Sequence, residues 1–185
     1  MRVISGTAKG RRLSAPKGQK VRPTADRVKE SLFNILGNRV TGAKVLDLYA
    51  GTGALGIEAL SRGAASAFIV DNDVMSVEII NRNLVATKLE QSATVWRQSS
   101  LHALDRLMHE KEAFDLIFLD PPYRINKSEL EVVMGKAAEC LSMRGLMILE
   151  HQSGLLALEM IENLNSVDER RYGDTVLSLF EKREN

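Results

Sequence analysis

The 185-residue chain has a single cysteine, Cys140, which excludes an internal disulfide and a zinc site built from cysteines. No apolar run approaches the roughly 18–20 residues that a membrane helix needs. The first dozen residues carry Arg2, Lys9, Arg11 and Arg12 with no apolar stretch behind them, so no secretory signal is expected. Internal repeats and low-complexity linkers are absent. A reducing cytoplasm is the default compartment. Carboxylates are missing from one region in particular: none occurs up to Arg22.

What is present is ordinary for a folded domain. Apolar residues make up 44% and charged residues 26%, enough for one α/β domain with a small appendage and short for two full domains. The net charge of +1 hides a split. Residues 1–39 hold ten Lys/Arg against two acids, whereas residues 40–185 hold fifteen against twenty-two. A basic arm on an acidic body suits a protein that grips a polyanion locally; a solvated basic tail is the plainer alternative.

Local patterns give the arm some order. Val3–Gly6, a turn at Ala8-Lys9-Gly10 and Arg11–Leu13 suggest a short β-hairpin, and Pro16-Lys17-Gly18 a loop. Thr24 is placed to cap a helix, with Asp26 in its first turn; Val28, Leu32, Ile35 and Leu36 form one helical face that ends near Gly37 or Asn38. From Lys44 strand and helix alternate. Apolar runs at Lys44–Leu48, Ala67–Val70, Ala93–Trp96, Phe114–Leu119 and Gly145–Leu149 are separated by helical stretches at Gly53–Ser61, Val74–Ala86, Leu101–Met108 and Glu129–Leu141. Runs apolar on both faces predict parallel strands buried between helices. A further helix is expected near Leu155–Asn163. Ser166–Tyr172 and Thr175–Glu181, joined at Gly173-Asp174, then predict a closing hairpin. The expected architecture is Rossmann-like α/β, five parallel strands with a terminal antiparallel pair, behind a hairpin-and-helix extension. Residues 1–39 are expected to form the extension and 40–185 the main domain.

The run Val45-Leu46-Asp47-Leu48-Tyr49-Ala50-Gly51-Thr52-Gly53-Ala54-Leu55-Gly56 carries G-x-G-x-x-G between a strand and a helix. Alone the pattern serves NAD, FAD and S-adenosylmethionine alike. Its glycines let a ligand approach the backbone around Ala50, Gly51 and Gly53 and are expected to leave helix N–H groups free. Asp47 discriminates: a carboxylate there repels a pyrophosphate and suits the ammonium and sulfonium of S-adenosylmethionine. The alternative is a strand-end Asp capping the next loop. Asp71, twenty residues beyond Gly51, is placed to accept from ribose hydroxyls, followed by Asn72 and by Asp73, a helix cap. At the end of the third run, Ser99 is a candidate contact for the adenine amine, and Ser100 a cap.

The fourth run ends Leu119-Asp120-Pro121-Pro122-Tyr123. Two prolines force the chain out of the sheet in a rigid extended loop, beside the switch point where ligands bind in open α/β sheets. An acid, a carbonyl stiffened by prolines and an aromatic ring meet the needs of methylating a base amine. The Asp120 side chain and the Pro121 carbonyl accept the amine hydrogens and turn its lone pair toward the methyl group, while Tyr123 stacks on the extruded base. Neither a metal nor a covalent nucleophile is required. His102, His109 and His151 form no catalytic constellation, and Trp96, Met134, Met143 and Cys140 read as packing residues.

Asp-Pro-Pro-Tyr after a fourth strand resembles the signature of amino-group methyltransferases acting on nucleic acid. The stretches Arg22–Asn34, Arg2–Gly6, Lys9–Leu13, Ala15–Gly18 and Tyr172–Thr175 narrow the likeness, along the whole chain, to the RsmD family of bacterial small-subunit rRNA guanine-N2 methyltransferases. The resemblance implies a seven-stranded class I methyltransferase fold, S-adenosylmethionine as cofactor, and one guanine of 16S rRNA as target, presented on a partly assembled particle. It assigns Asp47, Gly51 and Gly53 to the donor loop, Asp71 to the ribose, and Asp120 to Tyr123 to catalysis; Ser99 departs from the Asn or Asp expected at the adenine. Arg11, Arg12, Lys17, Lys20, Arg22 and Arg27 are the candidate phosphate contacts, and a monomer suffices. DNA adenine methylation, a nicotinamide-dependent oxidoreductase and a non-catalytic RNA-binding assembly factor are the competing readings. The first lacks a target-recognition domain, the second a proton donor at the hydride site, and the third leaves Asp120 and Tyr123 unexplained.

Overall fold

The computed structural model describes residues 1–16, 23–122, 124–153 and 163–183. The helix expected near Leu155–Asn163, and the calls on Lys17, Lys20, Arg22 and Tyr123, therefore lie outside the described residues, Asn163 apart. In chain order the elements are α1 (Pro23–Leu36), β1 (Lys44–Leu48), α2 (Ala54–Ser61), β2 (Ser66–Asp71), α3 (Val74–Thr87), β3 (Ala93–Arg97), α4 (Ser100–His109), β4 (Phe114–Leu119), α5 (Lys127–Glu139), β5 (Leu141–Gln152), β6 (Leu164–Tyr172) and β7 (Thr175–Lys182). They build one seven-stranded sheet in the order β3-β2-β1-β4-β5-β7-β6. The first five strands run parallel, and β7 returns antiparallel between β5 and β6.

Side-chain alternation sorts the strands onto two buried layers. Val45, Ile69, Phe118 and Ile148 face α1, α2, α3 and the N-terminal segment. Leu46, Leu48, Val70, Ile117 and Leu149 face α4 and α5. Burial on both faces explains why each strand reads as a continuous apolar run.

Three local expectations change. Helix α5 stops at Glu139, so Leu141 belongs to β5 and pairs with Phe114 across a register shift before Leu116 meets Leu146. Capping of α4 falls to Ser99 rather than Ser100: the Ser99 hydroxyl accepts from the His102 amide. Helix α1 begins at Pro23, the position where a fixed φ and a missing N–H cost least, which puts Thr24 inside the helix.

The N-terminal segment is integral to the packing. Its hairpin is reduced to one antiparallel bridge, Arg2↔Arg12, with Val3 donating to the Arg11 carbonyl and Gly10 to that of Val3. Val3, Ala8 and Leu13 are buried in the same layer as α1 and α2. Gly6, at φ +83°, lies so close to α2 that a Cβ would stand 1.7 Å from the Ser61 carbonyl oxygen.

The fastening point is Glu58 on α2, fully buried. Its carboxylate accepts from the amides of Ile4 (2.8 Å) and Ser5 (3.0 Å) and from Arg62 Nε (2.8 Å). It also pairs with Lys29 of α1 at 3.1 Å, and Lys29 donates to the Arg2 carbonyl. Asn83 of α3 makes a second clamp, accepting from the Ser14 amide and donating to the carbonyls of Ser14 and Thr52. Replacing Glu58 by Ala strands the Lys29 ammonium in the core; we expect a loss of about 3–5 kcal/mol in denaturant unfolding. Faster hydrogen exchange at the Ile4 and Ser5 amides is expected with it, and unchanged exchange there would remove Glu58 as the anchor.

Candidate active site

The carboxyl edge of the parallel strands collects the acids. Asp47 on β1 sits in register with Ile69 of β2 and Phe118 of β4. The same alternation brings Asp71, at the end of β2, Asp120, just past β4, and Glu150, near the end of β5, to the edge of one face, the layer that holds Ile69, Phe118 and Ile148. Four carboxylates on one layer are legible only when strand register is known.

Two adjoining cavities open along this edge. The larger, about 400 Å³, is bordered by Asp71, Asn72, Ser99, Ser100, Pro122 and Glu129. The smaller, about 230 Å³, has Asp47, Ala50, Gly51 and Glu150 in its wall and Met1, Val28, Lys29 and Leu32 as its roof. Tyr49 and Asp120 line both, so the two form one elongated site. A third cavity, about 630 Å³, lies elsewhere among basic residues including Arg39, Arg144 and Lys182 and touches none of these groups.

The expectation of free helix N–H groups at the glycine loop fails at Gly56, on the first turn of α2. The loop's three glycine amides are taken: Gly51 donates to Asp71 Oδ2 (2.7 Å), Gly53 to the Ala50 carbonyl (2.8 Å) and Gly56 to Asp47 Oδ2 (2.8 Å). A pyrophosphate needs such N–H groups free. Two of these three are spent on the Asp71 and Asp47 carboxylates, whose charge disfavours a pyrophosphate and fits a cationic ligand. Asp47 thus does both things weighed for it, holding the loop and walling the cavity. Gly53 (φ +73°) and Gly51 (φ +57°) take the left-handed backbone that lets the loop turn into α2. Tyr49 adopts it too, at φ +59°, without glycine's freedom, as residues at functional sites often do.

Burial tunes the acids upward. Asp47 is 1% exposed, and desolvation, opposed by the Gly56 hydrogen bond and assisted by Asp71, lifts its pKa to about 7. Asp120 stays open to solvent at the cavity mouth yet has protein around most of its carboxylate; desolvation, then Glu150, then Asp47 push it well above the usual carboxylate range. Desolvation raises Glu150 as well. Tyr49 is raised by burial, against a hydrogen bond with Ser100. Asp71 instead has both oxygens engaged, by the Gly51 amide and by the Asp73 amide at 2.9 Å, and keeps lone pairs for hydroxyl donors.

The structure therefore brings Asp47, Ala50, Gly51, Asp71, Asn72, Ser99, Asp120 and Pro122 to one site, with Gly53 buried beneath the loop and Pro121 buried behind Asp120. Tyr49, Glu129, Glu150 and the roof residues were not foreseen. Glu150 had a signal: it ends the fifth apolar run as Asp120 ends the fourth. Of the basic candidates, Arg12 and Arg27 are exposed, while Arg11 donates to the Ala86 carbonyl at the end of α3 (2.6 Å).

Fold and site together define the class of methyltransferases. The chain belongs to the RsmD family, matching over residues 1–181 the family described as conserved hypothetical protein 95. It is 38% identical over 183 residues to the candidate rRNA methyltransferase YlbH of Bacillus subtilis, spanning 99% of this chain and 100% of that protein. It is also 38% identical over 124 residues to ribosomal RNA small subunit methyltransferase D of Escherichia coli K12, covering 67% of this chain and 61% of that one. Among solved structures, a candidate methyltransferase of Escherichia coli, yhhF, superposes with a TM-score of 0.84 at 32% identity over 98% of this chain and 97% of that chain.

The raised Asp47 gives a signed prediction. Below about pH 4 the folded and unfolded chains both hold its proton. Between about 4 and 7 only the folded state does, so stability falls as pH rises through that window and levels off above it. Asp47→Asn keeps an acceptor for Gly56 and removes the charge. Without ligand it should match the parent near pH 4 and exceed it by about 1–4 kcal/mol at pH 8 in urea titrations. Equal stabilities at pH 8 would contradict this account.

Proposed function

We propose that the protein methylates the exocyclic N2 of one guanine in the rRNA of the small ribosomal subunit, in the cytoplasm and as a monomer. The observation that carries this reading is Asp120, held at the junction of the two cavities by a proline-stiffened exit from β4. The relatives named for rRNA methylation, one for the small subunit, support the substrate class.

The residues present fit S-adenosylmethionine. Asp71 faces the larger cavity, where ribose hydroxyls can donate to it, with Asn72 and Ser99 beside the space for the adenine. Asp47 and Glu150 give the smaller cavity an anionic wall suited to the cationic methionine half. When bound, this cofactor supplies an electrophilic methyl group on sulfur. Asp120 and the Pro121 carbonyl accept the amine hydrogens of the target base and aim its lone pair, and Tyr123, outside the described residues, stacks on the base. Transfer of that methyl group would place positive charge on the base nitrogen. Negative Asp120 stabilises that charge and takes the proton nitrogen then releases.

RNA engagement falls to the basic segment, and we retain residues 1–39 as its functional unit. Arg12 and Arg27 are open to solvent, and Arg11, Lys17, Lys20 and Arg22 complete the proposed phosphate contacts. Since duplex RNA hides its base edges, target choice rests on RNA shape and an unstacked base.

Asp120→Ala should abolish methyl transfer to small-subunit particles from a strain lacking the protein, while calorimetry shows donor affinity largely intact. Collapse of donor affinity instead would contradict the role given to Asp120. Replacing Arg12 and Arg27 together by Ala should weaken RNA binding and lower the slope of log affinity against log salt by about 1–2. An unchanged slope means that neither side chain meets phosphate.

A further inference from the structure

Glu150 is the carboxylate beside Asp120 that has no task in this chemistry beyond its charge. Strands β4 and β5 pair in register from Leu116↔Leu146 to Leu119↔Leu149. Asp120 and Glu150 therefore stand side by side, one step past the last of these pairs and on one face of the sheet. Both line the smaller cavity. Among the described residues no cation or side-chain donor pairs with the Glu150 carboxylate, although Glu58, the buried acid of the same layer, has four partners. A half-buried acid beside a second acid is costly for the fold, so a ligand that donates to both is the natural complement.

The Watson–Crick edge of guanine has that form. Its N1–H and N2–H₂ are adjacent donors, whereas adenine and cytosine set a lone pair beside their amine. Two neighbouring carboxylates meet two donors on guanine, but one of them meets a lone pair on the other bases. We propose that Glu150 selects guanine by accepting its N1–H, which leaves Asp120 for the reacting amine. The assignment rests on the target being a guanine amine and names the residue that would read the base. Hydrogen-bonding sites of this kind discriminate strongly, because a mismatched base leaves a buried acceptor unpaired.

The test uses a synthetic RNA fragment with the target nucleotide as guanosine or as 2-aminopurine riboside. Both carry the amine at C2, but 2-aminopurine has a lone pair at N1. The parent enzyme should prefer guanosine by about 10²-fold or more in kcat/KM. Glu150→Gln can turn its amide N–H toward that lone pair, so the preference should fall by at least about tenfold relative to the parent, each rate being read at saturating donor. Intrinsic differences between the two amines cancel in the comparison of parent with variant. A preference left unchanged while both rates fall together would overturn the assignment. A parent enzyme that leaves the guanosine RNA unmodified but methylates an adenosine counterpart overturns the proposed function and this assignment together. That result is seen before any variant is made, so the two failures are distinguishable.

Discussion

A fully buried carboxylate, Glu58, decides whether the smaller cavity has a roof. Met1, Val28, Lys29 and Leu32 close that cavity, and all four belong to the segment that Glu58 ties down through Ile4, Ser5 and Lys29. Desolvating such a group is expensive, and the cost is offset because every approach is matched by a donor: two amides, a guanidinium and an ammonium. The arrangement gives geometric definition more than net stability. It fixes the angle at which the N-terminal segment meets α2, and Gly6 lets the two backbones come that close.

The second constraint is parity. In a sheet buried on both faces, which layer an acid joins depends on counting residues from its strand's apolar neighbours. Asp47, Asp120 and Glu150 come from three neighbouring strands, β1, β4 and β5, and Asp71 from the strand on the other side of β1. Burial at that edge leaves Asp47, Asp120 and Glu150 with raised carboxyls, and Asp47 gives a stability that declines toward neutral pH. Such a strained set of charges fits a site that meets a cationic ligand, as stability is commonly given up where function needs it.

Much of this was legible in the sequence, for definite reasons. β1 and β4 lie where their apolar runs do because a buried parallel strand shows no alternation to blur its ends. Asp47, Asp71 and Asp120 were found because each sits at or near the end of such a run. Leu141 was misassigned because an apolar residue after a helix looks the same whether it closes the helix or opens a strand; only its pairing with Phe114 decides. The spent amides of Gly51 and Gly56 were invisible, since the acceptors lie 20 and 9 residues away in sequence. Tyr49 was passed over because nothing in its neighbours signals a left-handed backbone.

Sharing a roof between the smaller cavity and the basic segment limits modularity. Grafting residues 1–16 from one relative onto another transfers more than a set of surface cations. The graft also brings the amides that Glu58 expects, the glycine that clears Ser61 and the Ser14 backbone that Asn83 grips. A chimera that mismatches any of these misplaces the ceiling over the acids of the smaller cavity, so the basic surface is better altered by changing outward-facing side chains one at a time.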